Sequence, residues 1–477
     1  MPVRSVWLRP DEPPELREAL RQLRDDLQIP DDDPAAALAE AEQAAAAPVL
    51  PARDLTDIAF ATLDPPGSTD LDQAFHLCRQ GSGYLLRYAI ADVAAFVRPG
   101  GALDAETHAR GQTFYAPTFR TPLHPEVLSE GKASLLPGQV RPAVVWELTL
   151  DADGQTTDVH VARALVRSRR KLGYPEVQHA LDAGTGDEQF LLLREIGALR
   201  LQLEAARQGV SLGVPTQEVE TDGSTWRLAY RDLLPVENWN AELSLATGMA
   251  AASIMLAGGA GILRTLPPAP ESGIERLRRT AGALGIRWPR HVGYPDFVRG
   301  LDASRPAHAA MLNACTLLFR GAGYAPFSDG QTPALTVHAA IAAPYAHVTA
   351  PLRRLVDRYA AEICVALCAG QPLPEWVQAS LETIATEMAD SIRRANAYER
   401  GIIDRVEAML LASRVGEAFR GDVLEVDHER RRGSLQLNDP AVEARVDGNR
   451  LVLGSTIDAT LVTADLVSGT VRFRTVA

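Results

Sequence analysis

The sequence has few cysteines, almost no lysine and no excess of positive charge. Its 477 residues include four cysteines, too few for a disulfide scaffold and without the paired CxxC spacing of a structural zinc site. The formal net charge of −13 argues against a protein that coats nucleic acid with a basic outer surface. Only two of the 48 basic residues are lysine. A skewed genomic base composition explains this arginine bias as well as a phosphate-binding role does.

Long hydrophobic runs are also missing. The N-terminus has no continuous apolar stretch of the kind found in a secretory signal, so we expect no export. The nearest approach to a membrane span is the uncharged stretch 244–263, which consists mostly of small residues and predicts a closely packed internal helix. With 46% apolar and 23% charged residues, the composition is that of a globular protein. We therefore expect a cytoplasmic protein of two or three domains that binds no membrane.

The N-terminal region is predicted to be helical over residues 1–50. Leucines recur at helical spacing over 16–27 after a proline pair, and the alanine-rich run that ends at Ala47 predicts a second helix. Two consecutive helices leave a helix-turn-helix possible. Residues 1–48 contain eleven acidic residues and five arginines, however, so a packing or partner role is favoured over DNA recognition.

The rest of the chain changes pattern twice. From Ile58 onward, alternating and β-branched segments predict a sheet built from hairpins, and helices dominate from Tyr174 to about Ala412. Five or six short strands follow within residues 413–477. They predict a small barrel of the OB type, a common module for single-stranded nucleic acid, although any small β-barrel gives the same pattern. The fold class is α+β.

The most chemically informative stretch is AFATLDPPGSTDLDQAF, residues 59–75. Asp64 ends an apolar strand, and Asp70 and Asp72 stand two apart beyond a short loop, so that one side of an extended chain can carry both. Three converging carboxylates are costly unless a cation neutralises them, and Mg²⁺ prefers such oxygen ligands. Turn formers, a phosphatase-type DxD nucleophile and a calcium loop remain alternatives. The pattern favours metal-assisted phosphodiester chemistry.

A wider resemblance supports this interpretation. TLDPPGSTDLDQAF, followed by AIADVAAFV at 89–97, resembles the signature of the ribonuclease II (RNB) family of 3′-to-5′ exoribonucleases. The similarity continues through LSEGKASLLPGQVRPAVVWELTL and RKLGYPEVQHAL to ENWNAELSL and YAHVTAPLRRLVDR, and it spans roughly residues 54–400. It implies an RNB-type catalytic domain over 51–405, a mixed sheet with surrounding helices, followed by an OB-type barrel over 413–477.

The resemblance also implies a metal site. The family's four acidic positions that hold magnesium fall on Asp64, Asp70, Asp72 and Gln73, so the fourth ligand is an amide in this chain. An amide oxygen can still bind Mg²⁺ or a coordinated water, but one negative charge is lost. Mn²⁺ is a possible substitute. Ala350 stands where the family has serine before a proline, which removes one hydroxyl contact.

RNA contacts follow from the same resemblance. It implies that Tyr115 stacks on a base, that Tyr174 and Glu242 bracket the terminal nucleotide, and that Arg353 with Arg354 clamps the scissile phosphate. The position of Tyr115 in a proline-rich loop independently favours exposure rather than a core role. A glutamate such as Glu242, near the start of an apolar helix, is equally explained by the helix dipole.

The implied activity is magnesium-dependent 3′-to-5′ exoribonuclease hydrolysis of single-stranded RNA to nucleoside 5′-monophosphates. Asp72 and Arg353 are the predicted catalytic residues, and we expect a monomer with single-stranded RNA as its partner. Only 63 residues precede Asp64 and the first 50 are predicted to be helical, so we expect one or both of the family's two N-terminal cold-shock domains to be absent or replaced. The alternatives are a catalytically weakened RNA-binding protein of the same fold and a metal-dependent small-molecule phosphatase.

Overall fold

The computed structural model describes residues 13–30, 32–116, 120–212, 216–221, 226–231, 233–319, 321–437 and 439–476. The part of the N-terminal prediction that falls on residues 1–12 lies outside these ranges. The helices are α1 Pro14–Asp26, α2 Ala35–Ala46, α3 Ala102–Arg110, α4 Tyr174–Asp182, α5 Glu188–Ala206, α6 Pro235–Gly258, α7 Glu271–Ala283, α8 Tyr294–Arg299, α9 Pro306–Cys315, α10 Leu355–Cys368 and α11 Glu375–Leu411. The strands are β1 Phe60–Asp64, β2 Gln73–Gln80, β3 Gly83–Ala91, β4 Phe114–Tyr115, β5 Arg120–Thr121, β6 Val140–Leu150, β7 Thr156–Gly173, β8 Thr216–Thr221, β9 Trp226–Arg231, β10 Gly261–Thr265, β11 Gly323–Phe327, β12 Val337–His338, β13 Ala343–Pro344, β14 Ala418–Asp427, β15 Arg432–Leu437, β16 Glu443–Asp447, β17 Thr456–Asp465 and β18 Thr470–Thr475.

The central sheet closes into a barrel in the order β1-β2-β3-β6-β7. Strand β1 pairs in parallel with β7, and the other neighbours pair antiparallel, so the sheet is mixed. Alternate residues such as Phe75, Tyr88 and Trp146 are buried in one core cluster. Because the first and last strands pair, no strand edge is left open in this barrel.

Helix α6 contains most of the uncharged stretch 244–263. Its length and composition would suffice to cross a membrane, but half of its most apolar window is buried within the protein, where it packs on α5 and α10. Gly248 permits close packing, since a Cβ there would collide with the ring of Tyr345. The prediction of a closely packed helix is confirmed for residues 244–258, whereas residues 261–263 at the end of the predicted stretch belong to strand β10.

The C-terminal strands form a second closed barrel in the order β14-β15-β16-β18-β17. Phe419 and Phe473 lie inside it, edge to face with ring centroids 5.6 Å apart. These rings form its core and are not surface platforms for bases. The predicted OB-type barrel and the α+β fold class are confirmed.

The two N-terminal helices pack on different parts of the body. Helix α1 buries Leu16 and Leu20 in a core shared with α11 and the C-terminal barrel. The guanidinium of Arg405 in α11 donates to the carbonyls of Ala19 (3.1 Å) and Val467 (3.0 Å), which joins all three elements. Helix α2 packs on α3 instead.

Candidate active site

The three aspartates meet at one end of the central barrel. Asp64 is the last residue of β1, and Asp72 immediately precedes β2. Continuing the antiparallel register Ala61↔Phe75 toward the connecting loop sets Asp64 opposite Asp72. The tight return of the chain between two paired strands therefore produces the convergence that the sequence predicts.

Asp72 is bound to the segment that precedes α10. Its carboxylate is only 2% exposed and accepts hydrogen bonds from the backbone N–H of Leu352 (2.8 Å) and from Nε of Arg353 (2.7 Å). The Arg353 side chain is 42% exposed, so it spans from the buried carboxylate to the surface of the site. The structure thus brings together residues 281 positions apart in the sequence.

Asp70 is bound to a different loop. It accepts from Nη1 of Arg120 (2.9 Å) and, at 3.4 Å, from the hydroxyl of Tyr115. Arg120 also donates through Nε to Glu130 (2.9 Å) and through Nη2 to Thr69 (2.6 Å). Sequence reasoning missed Arg120 and Glu130. A signal was available in the motif FYAPTFRTP, where Arg120 follows Tyr115 in the same proline-rich loop.

Burial and mutual repulsion make the carboxylate charges unfavourable. Burial raises the pKa of Asp64 to about 7, against the opposing attraction of Arg353, and the charges of Asp72 and Asp70 raise it further. Burial likewise raises the pKa of Asp72 to about 6, although Arg353 and the Leu352 N–H act in the opposite direction. The attraction of Arg353 therefore does not fully offset the effects of burial and of the neighbouring aspartates on Asp64 and Asp72.

The donor chemistry of this site fits a hard divalent cation. Oδ2 of Asp64 is buried and has no hydrogen-bond partner, which is the arrangement expected of an oxygen reserved for a cation. Across the described ranges, no three His, Cys, Asp or Glu side chains already surround a common metal position. The carboxylates of Asp70 and Asp72 are instead hydrogen-bonded to Arg120 and Arg353.

Gln73 has both ends of its amide engaged. Nε2 donates to the backbone carbonyl of Thr349 (2.7 Å), and Oε1 accepts from the hydroxyl of Tyr88. A carbonyl oxygen can only accept, so the Thr349 contact determines which way the amide is turned. Metal ligation by Gln73 stays a prediction, and the structure shows that its oxygen already has a partner.

Tyr174 borders the carboxylates. Strand β1 pairs in parallel with β7, with Asp64 opposite Gly173, so Tyr174 begins α4 directly beside Asp64. Burial, with an added contribution from the Asp64 charge, raises the pKa of Tyr174 to about 12. Its hydroxyl accepts from Nδ2 of Asn240 in α6 (3.2 Å).

The structure does not place Glu242 beside Tyr174. Asn240 and Glu242 are two residues apart on α6, which puts them about 200° apart around the helix. Asn240 faces Tyr174, whereas the charged groups that act on Glu242 belong to α5 and its C-terminal end, Glu204 and Arg200 among them. Sequence reasoning missed Asn240, although it stands in the same motif, ENWNAELSL.

Arg354 is also held away from Asp72. It donates through Nε (2.8 Å) and Nη2 (2.7 Å) to the fully buried carboxylate of Asp357 in α10. Asp357 accepts a third hydrogen bond from the backbone N–H of Ala350 (2.7 Å). Arg354 therefore shapes the turn that carries Arg353, and this turn is closed without the serine hydroxyl that the family has at position 350.

The chain thus combines a closed mixed barrel, whose end carries the buried Asp72, the partly buried Asp64 and Asp70 and an arginine, with a C-terminal barrel of the OB type. The RNB domain matches residues 52–369, and the RNase II-type exonuclease C-terminal S1 domain matches residues 417–476. Because the first match covers more than half of the chain, the chain belongs to the RNB family. The predicted family is confirmed.

Individual relatives agree with this assignment. The chain is 36% identical over 162 residues to exoribonuclease 2 of Proteus mirabilis, which covers 32% of this chain and 25% of that protein. It is 27% identical over 395 residues to ribonuclease R of Mycoplasma pneumoniae, which covers 77% of this chain and 53% of that protein. The structure of Mycoplasma genitalium RNase R with ribose-methylated single-stranded RNA superposes with a TM-score of 0.85 at 19% identity, over 97% of this chain and 78% of that one. The chain thus spans between a quarter and about half of the length of these curated relatives.

Proposed function

We propose that this chain is a 3′-to-5′ exoribonuclease that hydrolyses the terminal phosphodiester of single-stranded RNA and releases nucleoside 5′-monophosphates. The observation that carries the proposal is the meeting of Asp64, Asp70 and Asp72 with Arg353 at the barrel end, where Asp64 keeps one buried oxygen without a partner. Water adds to the phosphorus and the bond to the 3′ oxygen breaks, so no further co-reactant is needed.

Asp64, Asp70 and Asp72 would hold Mg²⁺, with Mn²⁺ as a possible substitute. When bound, the ion supplies Lewis-acid activation of the phosphate and of the attacking water. The raised pKa values of Asp64 and Asp72 support this role, because a bound cation would stabilise charged carboxylates that burial and, to a smaller extent, mutual repulsion disfavour.

The neighbouring residues support an RNA substrate. The partly exposed Arg353, anchored through Nε on Asp72, is placed to bind a phosphate in the fork geometry that arginine favours. Tyr115 contacts Asp70 through its hydroxyl and Tyr174 lies beside Asp64, so both supply an aromatic side chain next to the aspartates that could stack on a base. Asn240, which binds the Tyr174 hydroxyl, replaces Glu242 as the α6 residue at the terminal nucleotide.

The test uses single-stranded RNA labelled at the 3′ end or at the 5′ end, incubated with Mg²⁺. The wild type should release labelled mononucleotide from the 3′-labelled RNA at once and shorten the 5′-labelled RNA stepwise. Asp72→Asn should abolish both, because an amide cannot accept from Leu352 and Arg353 on two oxygens. Asp153→Asn, in an exposed hairpin turn, is the matched control and should retain full activity. Equal activity of wild type and Asp72→Asn would refute the proposal.

A second candidate, an RNA-binding protein without catalysis, is favoured by one observation. Position 73 has an amide where the family has an acid, and that amide is used in hydrogen bonds rather than directed at the carboxylates. In the same assay, this candidate predicts that the wild type shifts labelled RNA in a gel but releases no nucleotide.

A further inference from the structure

Gln73 connects the barrel to the segment that carries Arg353. Its amide nitrogen holds the carbonyl of Thr349 at 2.7 Å, and Thr349 is 3% exposed. The preceding residue, Asp72, accepts hydrogen bonds from Leu352 and Arg353 of the same segment. Asp72 and Gln73, at the boundary of the loop and β2, therefore bind the segment 349–353 near both of its ends.

The contact requires an amide. The Thr349 carbonyl needs a donor, and the buried Tyr88 hydroxyl donates to the other end of the same group. A carboxylate at position 73 would satisfy Tyr88 but would place an acceptor against the Thr349 carbonyl. Glutamine satisfies both neighbours at once, which the acidic residue of the family cannot do.

Helix α6 also takes part in these contacts through Thr349. The Thr349 hydroxyl shares a hydrogen bond of 2.8 Å with the hydroxyl of Ser244 in α6. Thr349 thus joins the barrel, the Arg353 segment and α6, and Gln73 is the barrel residue in that junction. Losing its donor would leave a buried carbonyl unpaired at the base of the segment.

We propose that Gln73 is a positioning residue that anchors the Arg353 segment to the barrel and is not a metal ligand. The proposal rests on the proposed function for the role of Arg353 but not for the hydrogen bonds themselves. Gln73 thus contributes, together with Asp72, to holding the segment that carries Arg353.

The test compares Gln73→Met, which has neither donor nor acceptor, and Gln73→Glu, which keeps only the acceptor. Gln378→Met is the matched control, since Gln378 also donates from its amide to a backbone carbonyl (3.2 Å) but is exposed on α11. Calorimetric titration with Mg²⁺ should give a Kd for Gln73→Met within about twofold of wild type. A loss of about tenfold or more, typical of removing a metal ligand or a hydrogen-bond partner of such a ligand, would overturn the proposal.

Amide hydrogen exchange, followed by mass spectrometry over residues 349–354, tests the anchoring directly. Both Gln73 variants should exchange about tenfold faster in this segment, the effect of one lost hydrogen bond, while Gln378→Met should not. Unchanged exchange in both Gln73 variants would overturn the proposal. These two measurements do not depend on RNA cleavage, so they decide the proposal even where the wild type proves inactive.

A double-mutant cycle tests whether Gln73 acts through Arg353. The Kd for a single-stranded RNA is measured without divalent cation, so that no RNA is cut. Gln73→Met should weaken binding in the wild-type background and have no further effect in the Arg353→Ala background. An equal loss in both backgrounds would show that Gln73 does not act through Arg353, and the proposal would fail.

Discussion

Replacing Glu242 by glutamine should stabilise the protein at alkaline pH. Glu242 is 2% exposed, its Oε2 has no hydrogen-bond partner, and burial raises its pKa from 4.5 to about 7, with the charge of Glu204 adding to the effect and Arg200 opposing it. The folded state therefore holds a proton on Glu242 between pH 4.5 and pH 7 that the unfolded chain releases.

This additional bound proton determines the direction and the size of the change in the free energy of unfolding with pH. Because the folded state binds the additional proton, the free energy of unfolding falls as the pH rises through this range, and the loss is complete above pH 7. A rise in pKa from 4.5 to about 7 corresponds to about 3 kcal/mol. Glutamine mimics the protonated acid, so Glu242→Gln should be nearly neutral at pH 4.5 and should gain about 3 kcal/mol above pH 7.

The assay is urea denaturation of wild type and variant at several pH values between 4.5 and 8.5. Glu382→Gln, on the exposed side of α11, controls for the loss of one carboxylate. A difference between wild type and Glu242→Gln that does not grow with pH would refute the reasoning.

Two further predictions concern the framework of the site. Asp357→Asn should lower the free energy of unfolding by about 3 kcal/mol or more, because a buried carboxylate that accepts from Arg354 and Ala350 is lost; a loss below about 1 kcal/mol in urea denaturation would contradict this. Gly248→Ala should lower the midpoint of thermal unfolding, since a Cβ would collide with Tyr345 and cost about 2 kcal/mol despite the higher helix propensity of alanine. A raised midpoint would show that α6 has room at this position.

The sequence determined the elements whose signals are local. The OB-type barrel follows from alternation and turn residues, and the convergence of Asp64, Asp70 and Asp72 follows from a strand, a short loop and a second strand. The motif YAHVTAPLRRLVDR directed attention to Arg353, which the structure brings to Asp72. Strand periodicity and the length of a connecting loop can both be read from the order of the residues. These features are therefore predictable from the sequence alone.

Only the tertiary structure decided how neighbouring side chains divide their contacts. Asn240 rather than Glu242 meets Tyr174, and Arg354 pairs with Asp357 while the adjacent Arg353 pairs with Asp72. Gln73, which the motif aligns with metal ligands, binds Thr349 instead. The physical reason is that partners separated by up to 281 residues compete for each polar group. Burial then makes each unpaired group costly, and a sequence motif specifies neither the partner nor the direction in which a side chain turns.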